Sequence, residues 1–549
     1  MLSMKYSIKK NTATEKLNRH WEFGIGAANP IAAMKTDFLE QLKYYKDEIG
    51  ADYVRLGGTF TDSRTQTIFS LSDLYDIPNA RKFVTRTFRL CGEAYDCILR
   101  VGVKPVVILG RIPKALAFKG ALPNMFGEYA CMPESMEDWC EYVVSYFEFL
   151  YHRYGKEEVR TWFFEFWNEP DLPIPMFSGT QEDYFHFYEA TARAIKGFDS
   201  ELKIGGPVTS NSKWIGTFVK YCKEHDVPVD FISTHQYAGD PLGGVEGTTE
   251  EEDVIRMKNI KTELERQKEA QLIVEEKNQK MNDLLGTIPI GTPLEGYRSW
   301  MGDPSEDEDS VLNLFSYNAA VACRQSEGLP LYYTEWNINA FNTSYTNDTK
   351  KVAAYAIKNA LAIEKSVTGS MFFFLTDLYT DKGMFPEEFC GCYGLLTKSG
   401  IPKPAFYAFK MLRQAGDDRY VLKNEDGTDM ILNDIGIAAF KKDKDVQVVV
   451  TRQKVKNSDA LAENVEIVVE FEKVPSRVTI QRIDDTHCNP LALWEKMGSP
   501  QLPNAAEVKD IKEKTAMAEE ALSFVYEDGQ VQVAAGLKVN DVAMITIYA

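Results

Sequence analysis

The chain has 549 residues, 44% of them hydrophobic and 26% charged. That length exceeds what one hydrophobic core organises, so two or three domains are expected. Sixty-two basic against 81 acidic residues leave a net charge of −19, which argues against nucleic acid or an anionic membrane surface as partner and favours a neutral or cationic ligand.

In chain order, MKYSIKK near the N-terminus reads as a strand. The first thirty residues hold no apolar signal-peptide core, and no uninterrupted apolar run reaches about 18 residues, so a cytoplasmic location is expected. Short runs rich in β-branched and aromatic residues then recur. They are WEFGIGAA from Trp21, DYVRLG from Asp52, KPVVIL from Lys104, WFFEFW from Trp162, LKIGGP from Leu202, DFISTH from Asp230, LYYTEW from Leu331 and GSMFFFL from Gly369. Between them lie stretches with apolar residues at helical period, such as KTDFLEQLKYYKDEIG and EDYFHFYEATARAIKGF. Eight strand–helix units over roughly 390 residues predict an α/β fold of the (β/α)₈ TIM-barrel type.

After GIPKPAFYAFKMLRQAG the pattern changes to short alternating strands: IGIAAFKK, DVQVVVTR, NVEIVVEFE, SRVTIQRI, FVYEDGQVQVAA and VAMITIYA. These predict a C-terminal β-sandwich accessory domain. The expected division is residues 1–14 as a strand joining the sandwich, 15–415 as the barrel and 416–549 as the sandwich. Two helical pieces interrupt this plan: an acidic insertion at about 240–310, placed to wall the site, and AAEVKDIKEKTAMAEEAL within the sandwich.

Nine cysteines, an odd number scattered through apolar segments, read as reduced thiols. Cys390-Gly391-Cys392 has no second half at zinc-ligand spacing among the six histidines, so no metal is expected.

A barrel of this type builds its active site where strands leave at their C-terminal ends. The fourth strand ends in Trp167-Asn168-Glu169-Pro170, the sixth in His235-Gln236-Tyr237 and the seventh in Thr334-Glu335-Trp336-Asn337. Two carboxylates facing each other across the mouth are what glycoside hydrolysis needs: one protonates the departing oxygen, the other attacks the anomeric carbon. Such chemistry requires no cofactor.

FWNEP and YYTEWN at these two strand ends resemble the acid/base and nucleophile signatures of glycoside hydrolase family 39, best known for β-xylosidases and α-L-iduronidases. YVRLGG, DFISTHQY, CGCYGLLTKSGIPKPAFYAFKML and VTIQRIDDTHCNPLALWEKMGSP extend the likeness along nearly the whole chain. The resemblance implies Glu169 as acid/base, Glu335 as nucleophile and Asn168 on the hydroxyl beside the anomeric carbon. It further implies Tyr237 as hydrogen-bond donor to the nucleophile, His235 at the sugar and Arg55 near the nucleophile carboxylate. The expected substrate-binding set is completed by Gly57, Trp336, Phe373, Asp377 and Asp381.

Some positions depart from the family's β-xylosidases. These carry histidine where this chain has Gly57, and read close to YWTFSDVFEE where it has FFFLTDLYTD, which puts Phe373 at a tryptophan and Thr380 and Asp381 at two glutamates. The expected function is therefore a retaining exo-glycosidase, β-xylosidase-like but with an altered glycone pocket. Arabinose, a larger hexose, a decorated unit or an oligosaccharide stand beside xylose as glycone. An endo-acting polysaccharide hydrolase and a non-catalytic carbohydrate-binding protein remain alternatives. The expected partner is a glycoside or oligosaccharide, and the sandwich could supply a homo-oligomer interface.

Overall fold

The computed structural model describes residues 4–27, 29–69, 85–124, 127–172, 176–239, 313–339, 344–378, 387–454 and 461–549. The expected helical insertion at about 240–310 lies outside them. Eight parallel strands close into a barrel: β1 (Gly24–Gly26), β2 (Tyr53–Leu56), β3 (Lys104–Leu109), β4 (Phe163–Phe166), β5 (Lys203–Thr209), β6 (Phe231–Gly239), β7 (Leu331–Asn339) and β8 (Gly369–Phe372). Each falls on a run read as a strand from the sequence. Neighbours in the chain are neighbours in space, and β8 closes on β1 with Met371 opposite Gly24.

A helix follows every strand among the described residues, from Thr36–Glu48 after β1 to Pro404–Gln414 after β8. Local chemistry sets their limits. Thr180 and Asp183 form a reciprocal capping box that starts Gln181–Phe198, satisfying backbone donors that otherwise lack partners. Gly102, at φ 82°, ends Arg89–Val101 in a left-handed conformation that costs a glycine little.

The barrel interior is layered. Phe23, Tyr53, Phe163, Phe231, Tyr332 and Met371 form an apolar plug at the N-terminal end, with Tyr53 and Phe163 packed edge to face at 5.1 Å. One pleat higher along β2 and β4 the inward residues are Arg55 and Glu165, both buried. Phe164 and Phe166 point the other way and pack on the surrounding helices, as the period-two alternation of a strand demands.

Two sheets lie C-terminal to the barrel. The larger runs in the order Glu520–Ala521, Arg477–Ile483, Val542–Tyr548, Asp445–Thr451, Gly436–Lys442, Asp418–Tyr420 and Thr14–Lys16. In the smaller, Met4–Ile8 pairs parallel with Glu463–Glu470, which is followed by Gln530–Leu537 and Phe524–Glu527. Their inner faces share one apolar core that includes Ile8, Ile437, Val448, Ile467, Val533 and Ile545. The helical segment expected in this part of the chain spans Ala505–Lys514. All nine cysteines are free thiols, and no helix among the described residues is long and apolar enough to cross a membrane.

Candidate active site

The mouth of the barrel is shaped by three irregularities of backbone. At the end of β4, Trp167 and Glu169 have φ of 71° and 50°, a left-handed conformation that side chains other than glycine adopt at a cost of about 1–2 kcal/mol each. The turn is pinned from several sides. The Trp167 indole is buried against Phe177 and Phe187 and donates to the Met176 carbonyl at 2.8 Å, while the Glu169 amide donates to the Val208 carbonyl at 2.8 Å. Arg111 donates to the Asn168 carbonyl at 3.0 Å, with its guanidinium 5.4 Å over the Trp167 ring.

On β7 one extra residue interrupts the pairing with β6: Thr234 lies opposite Tyr333, but His235 lies opposite Glu335. Such a bulge reverses the alternation beyond it. Tyr332 faces the barrel interior and Tyr333 the helices; past Thr334, Glu335 turns inward and Trp336 outward. A third shift lies between β5 and β6, where Val208, at φ 55°, is the additional residue.

These turns bring Arg55, Asn168, Glu169, His235, Tyr237 and Glu335 together. Arg55 donates from Nη1 to Glu335 Oε1 at 2.5 Å, from Nε to Glu165 Oε2 at 2.5 Å and from Nη2 to Asn168 Oδ1 at 2.8 Å. The Tyr237 hydroxyl donates to Glu335 Oε2 at 2.7 Å. His235 Nδ1 lies 2.8 Å from Glu169 Oε1 and 3.7 Å from Glu335 Oε2, so one ring nitrogen bridges both carboxylates.

The electrostatics separate the two acids. Burial pushes the Glu335 carboxyl up, but the His235 ring, the Arg55 guanidinium and the Tyr237 hydroxyl outweigh it and hold the group below the usual carboxylate range. Burial pushes His235 down, yet the Glu335 charge and the bond to Glu169 overcome this and raise it against the opposing field of Arg55. Two residues past Glu169, burial raises Asp171 to about 6 despite Lys213 and the Ser210 hydroxyl and amide. Its carboxylate ties the end of β4 to the end of β5, accepting from the Ser210 amide at 2.8 Å and hydroxyl at 2.5 Å.

Beside this cluster opens a cavity of about 260 Å³ whose lining includes Gly57, Phe373, Arg111, Glu128, Asn168 and Glu335. A Cβ on Gly57 would meet only Ile108 Cδ1, at 3.6 Å, so the missing side chain is space in the cavity. Arg111 and Glu128 pair at 3.1 Å on its wall. The oxygen and nitrogen atoms of Glu169, His235 and Glu335 lie within 4.8 Å of one another, a cation-sized group. Here, however, Arg55 and Tyr237 already occupy both Glu335 oxygens and Glu169 is engaged by His235, an arrangement suited to holding and moving protons.

Two residues expected at the sugar belong elsewhere. Trp336 is wholly buried, its ring packed on Phe315, Phe372 and Phe409 between barrel and helices; the bulge that turns Glu335 inward turns its neighbour away. Asp377 is buried with Asp348 around Lys403, at 2.8 and 2.6 Å from its ammonium nitrogen. That ion pairing holds the segment after β8 and leaves Asp377 no face toward the cavity. Asp381 and Thr380 lie outside the described residues. Conversely, Glu165, Arg111 and Glu128 were not singled out from the sequence, although a lone glutamate inside the apolar run FFEFW is a signal that could have marked the first.

The sequence profile of glycosyl hydrolases family 39 matches residues 4–282 and 310–532. The chain belongs to this family. It is a glycoside hydrolase, and its substrate is a glycoside. Among the relatives of this family 39 enzyme are a β-xylosidase of Caldicellulosiruptor saccharolyticus, 28% identical over 95% of this chain and 93% of that protein, and a β-xylosidase of Geobacillus stearothermophilus, 26% identical over 99% and 95%. Among solved structures, a monomeric β-xylosidase from Caulobacter crescentus CB15 shares the fold, with a TM-score of 0.72 at 22% identity, covering 100% of this chain and 99% of that one.

For this family 39 chain the outward position of Trp336 leads to a direct expectation. Trp336→Ala should lower stability by about 3–5 kcal/mol, as deletion of a large buried aromatic does, seen as a lower melting temperature. KM of the folded fraction should stay unchanged, whereas a sugar-stacking residue would raise it.

Proposed function

We propose that the protein is a retaining exo-glycosidase, β-xylosidase-like in mechanism, with a glycone pocket altered from that of plain xylose. The observation that carries this reading is the spacing of the two acids, with an oxygen of Glu169 and one of Glu335 within 4.8 Å of each other. Double displacement places its carboxyl groups about 5–5.5 Å apart, whereas the inverting reaction needs about 6.5–9.5 Å to admit a water.

In the proposed cycle the ionised Glu335 attacks the anomeric carbon while Glu169 gives its proton to the departing glycosidic oxygen. Glu169 then takes a proton from the water that displaces Glu335 from the glycosyl-enzyme. Asn168 Oδ1 is engaged by Arg55, which leaves its NH₂ group as donor to the hydroxyl beside the anomeric carbon. The β-xylosidases among the relatives support xylose chemistry as the starting point. The open space at Gly57 and the Arg111–Glu128 wall support a glycone that fills more of the pocket, such as arabinose, a hexose or a decorated unit.

A panel of nitrophenyl glycosides, with analysis of which chain end the products come from, tests sugar and exo action together. The altered pocket fails if the β-xyloside is turned over far faster than every other sugar. Glu335→Ala should cut turnover at least about a thousandfold, while a protein that only binds carbohydrate would keep its affinity and show no such loss.

Removing the Tyr237 hydroxyl provides a pH test. That hydroxyl stabilises the ionised form of Glu335, so in Tyr237→Phe the carboxyl takes up its proton at higher pH. The acidic limb of kcat/KM should move upward in pH with the alkaline limb in place; an unmoved acidic limb would remove Glu335 from the role of ionised nucleophile.

A further inference from the structure

Glu165 stands out as a charge inside the barrel that the cycle above does not use. It is wholly buried one pleat above the aromatic plug. Its Oε2 accepts from Arg55 Nε at 2.5 Å, and its Oε1 has no hydrogen-bond partner. Stability does not explain it: a buried ion pair gains no more than well-packed apolar side chains of the same volume, and the layer below is built of such side chains. The reason lies in what Arg55 touches.

Arg55 spans two carboxylates, Glu165 behind it and Glu335 in front. In double displacement, on which this inference rests, a C–O bond forms between Glu335 and the anomeric carbon as the glycosidic C–O bond breaks, the proton for the departing oxygen coming from Glu169. The Glu335 charge thereby disappears. Were Glu335 the sole counter-ion of Arg55, the glycosyl-enzyme would contain a buried, unpaired guanidinium, which is costly. We propose that Glu165 is a positioning residue that serves as the permanent counter-ion of Arg55, keeping the guanidinium compensated and aimed at Glu335 and Asn168 while the nucleophile cycles between carboxylate and ester.

The other charged and titratable groups facing Glu335 are Glu169 from the end of β4 and His235 and Tyr237 from β6; none of them touches Arg55 Nε. Glu165→Gln keeps the shape and an acceptor for Nε but removes the charge. Arg55 then binds the free Glu335 carboxylate too well and stands unpaired in the ester. Formation of the glycosyl-enzyme should slow and its hydrolysis should not, a split that loss of packing cannot produce.

The measurement uses the whole protein with phenyl β-xyloside, whose poor leaving group makes formation of the intermediate limiting, and 2,4-dinitrophenyl β-xyloside, whose good one makes hydrolysis limiting, or the same pair on the sugar chosen by the glycoside panel. With E165Q, turnover of the phenyl glycoside should fall about tenfold or more. Turnover of the dinitrophenyl glycoside should hold or rise, and its pre-steady-state burst should shrink. Glu165→Asp, which restores the charge, should return the ratio of the two rates toward that of the unaltered enzyme. Should E165Q lose its cooperative melting transition, E165M fills the same volume without charge and is expected to show the same split. Equal slowing of both substrates, or no change in either, overturns the proposal. Failure of the unaltered enzyme to give a burst, or a covalent adduct on Glu335 with a 2-deoxy-2-fluoro glycoside, removes double displacement itself and this inference with it.

Discussion

The guanidinium of Arg55 is the point on which the site is assembled. A buried cation in an otherwise apolar barrel must be compensated on every side that carries a donor, and here each of its three edges has a distinct partner: Glu165, Glu335 and Asn168. Those partners come from β4, β7 and the turn after β4. Satisfying one charge therefore fixes the relative positions of three segments far apart in the chain, and both carboxylates of the proposed chemistry are placed with reference to it.

The backbone around this charge departs from regularity wherever a side chain must be aimed. Trp167 and Glu169 in left-handed conformations, the extra residue at Thr334 and the extra residue at Val208 all lie in the last pleats of their strands. Below them, strand alternation holds and the interior is an aromatic plug. Regular structure thus supplies rigidity, and the irregular ends supply direction. The Trp167 indole, wedged among Phe177 and Phe187 with Arg111 over its face, shows how packing offsets the cost of the strained turn that presents Glu169.

Much of this was legible in the sequence. The eight barrel strands lie on the eight apolar runs that alternate with helical periodicity, because both patterns follow from burial on one side of a local element and need no distant partner. Asn168, Glu169, His235, Tyr237 and Glu335 stood out for a related reason: polar residues directly after apolar runs in such a fold end up at the strand tips, and the structure brings them together with Arg55. Trp336 and Asp377 misled because they share those segments without sharing the orientation. A residue beside Glu335 is one step away along the chain and on the opposite face of the strand, and an acid after β8 pairs with whichever cation packs beneath it, here Lys403.

By itself, then, the sequence determined the barrel, the neighbouring sandwich strands, and the family 39 chemistry carried by two glutamates at the ends of the fourth and seventh strands. These depend on local periodicity and on motifs a few residues long. Only the tertiary structure decided that Arg55 is shared by Glu165 and Glu335, that one nitrogen of His235 bridges both acids, that Trp336 faces the helices, and that Gly57 is open space in the cavity. Each of these is a relation between segments tens to hundreds of residues apart, set by the closure of the barrel and by single-residue bulges that no local pattern encodes.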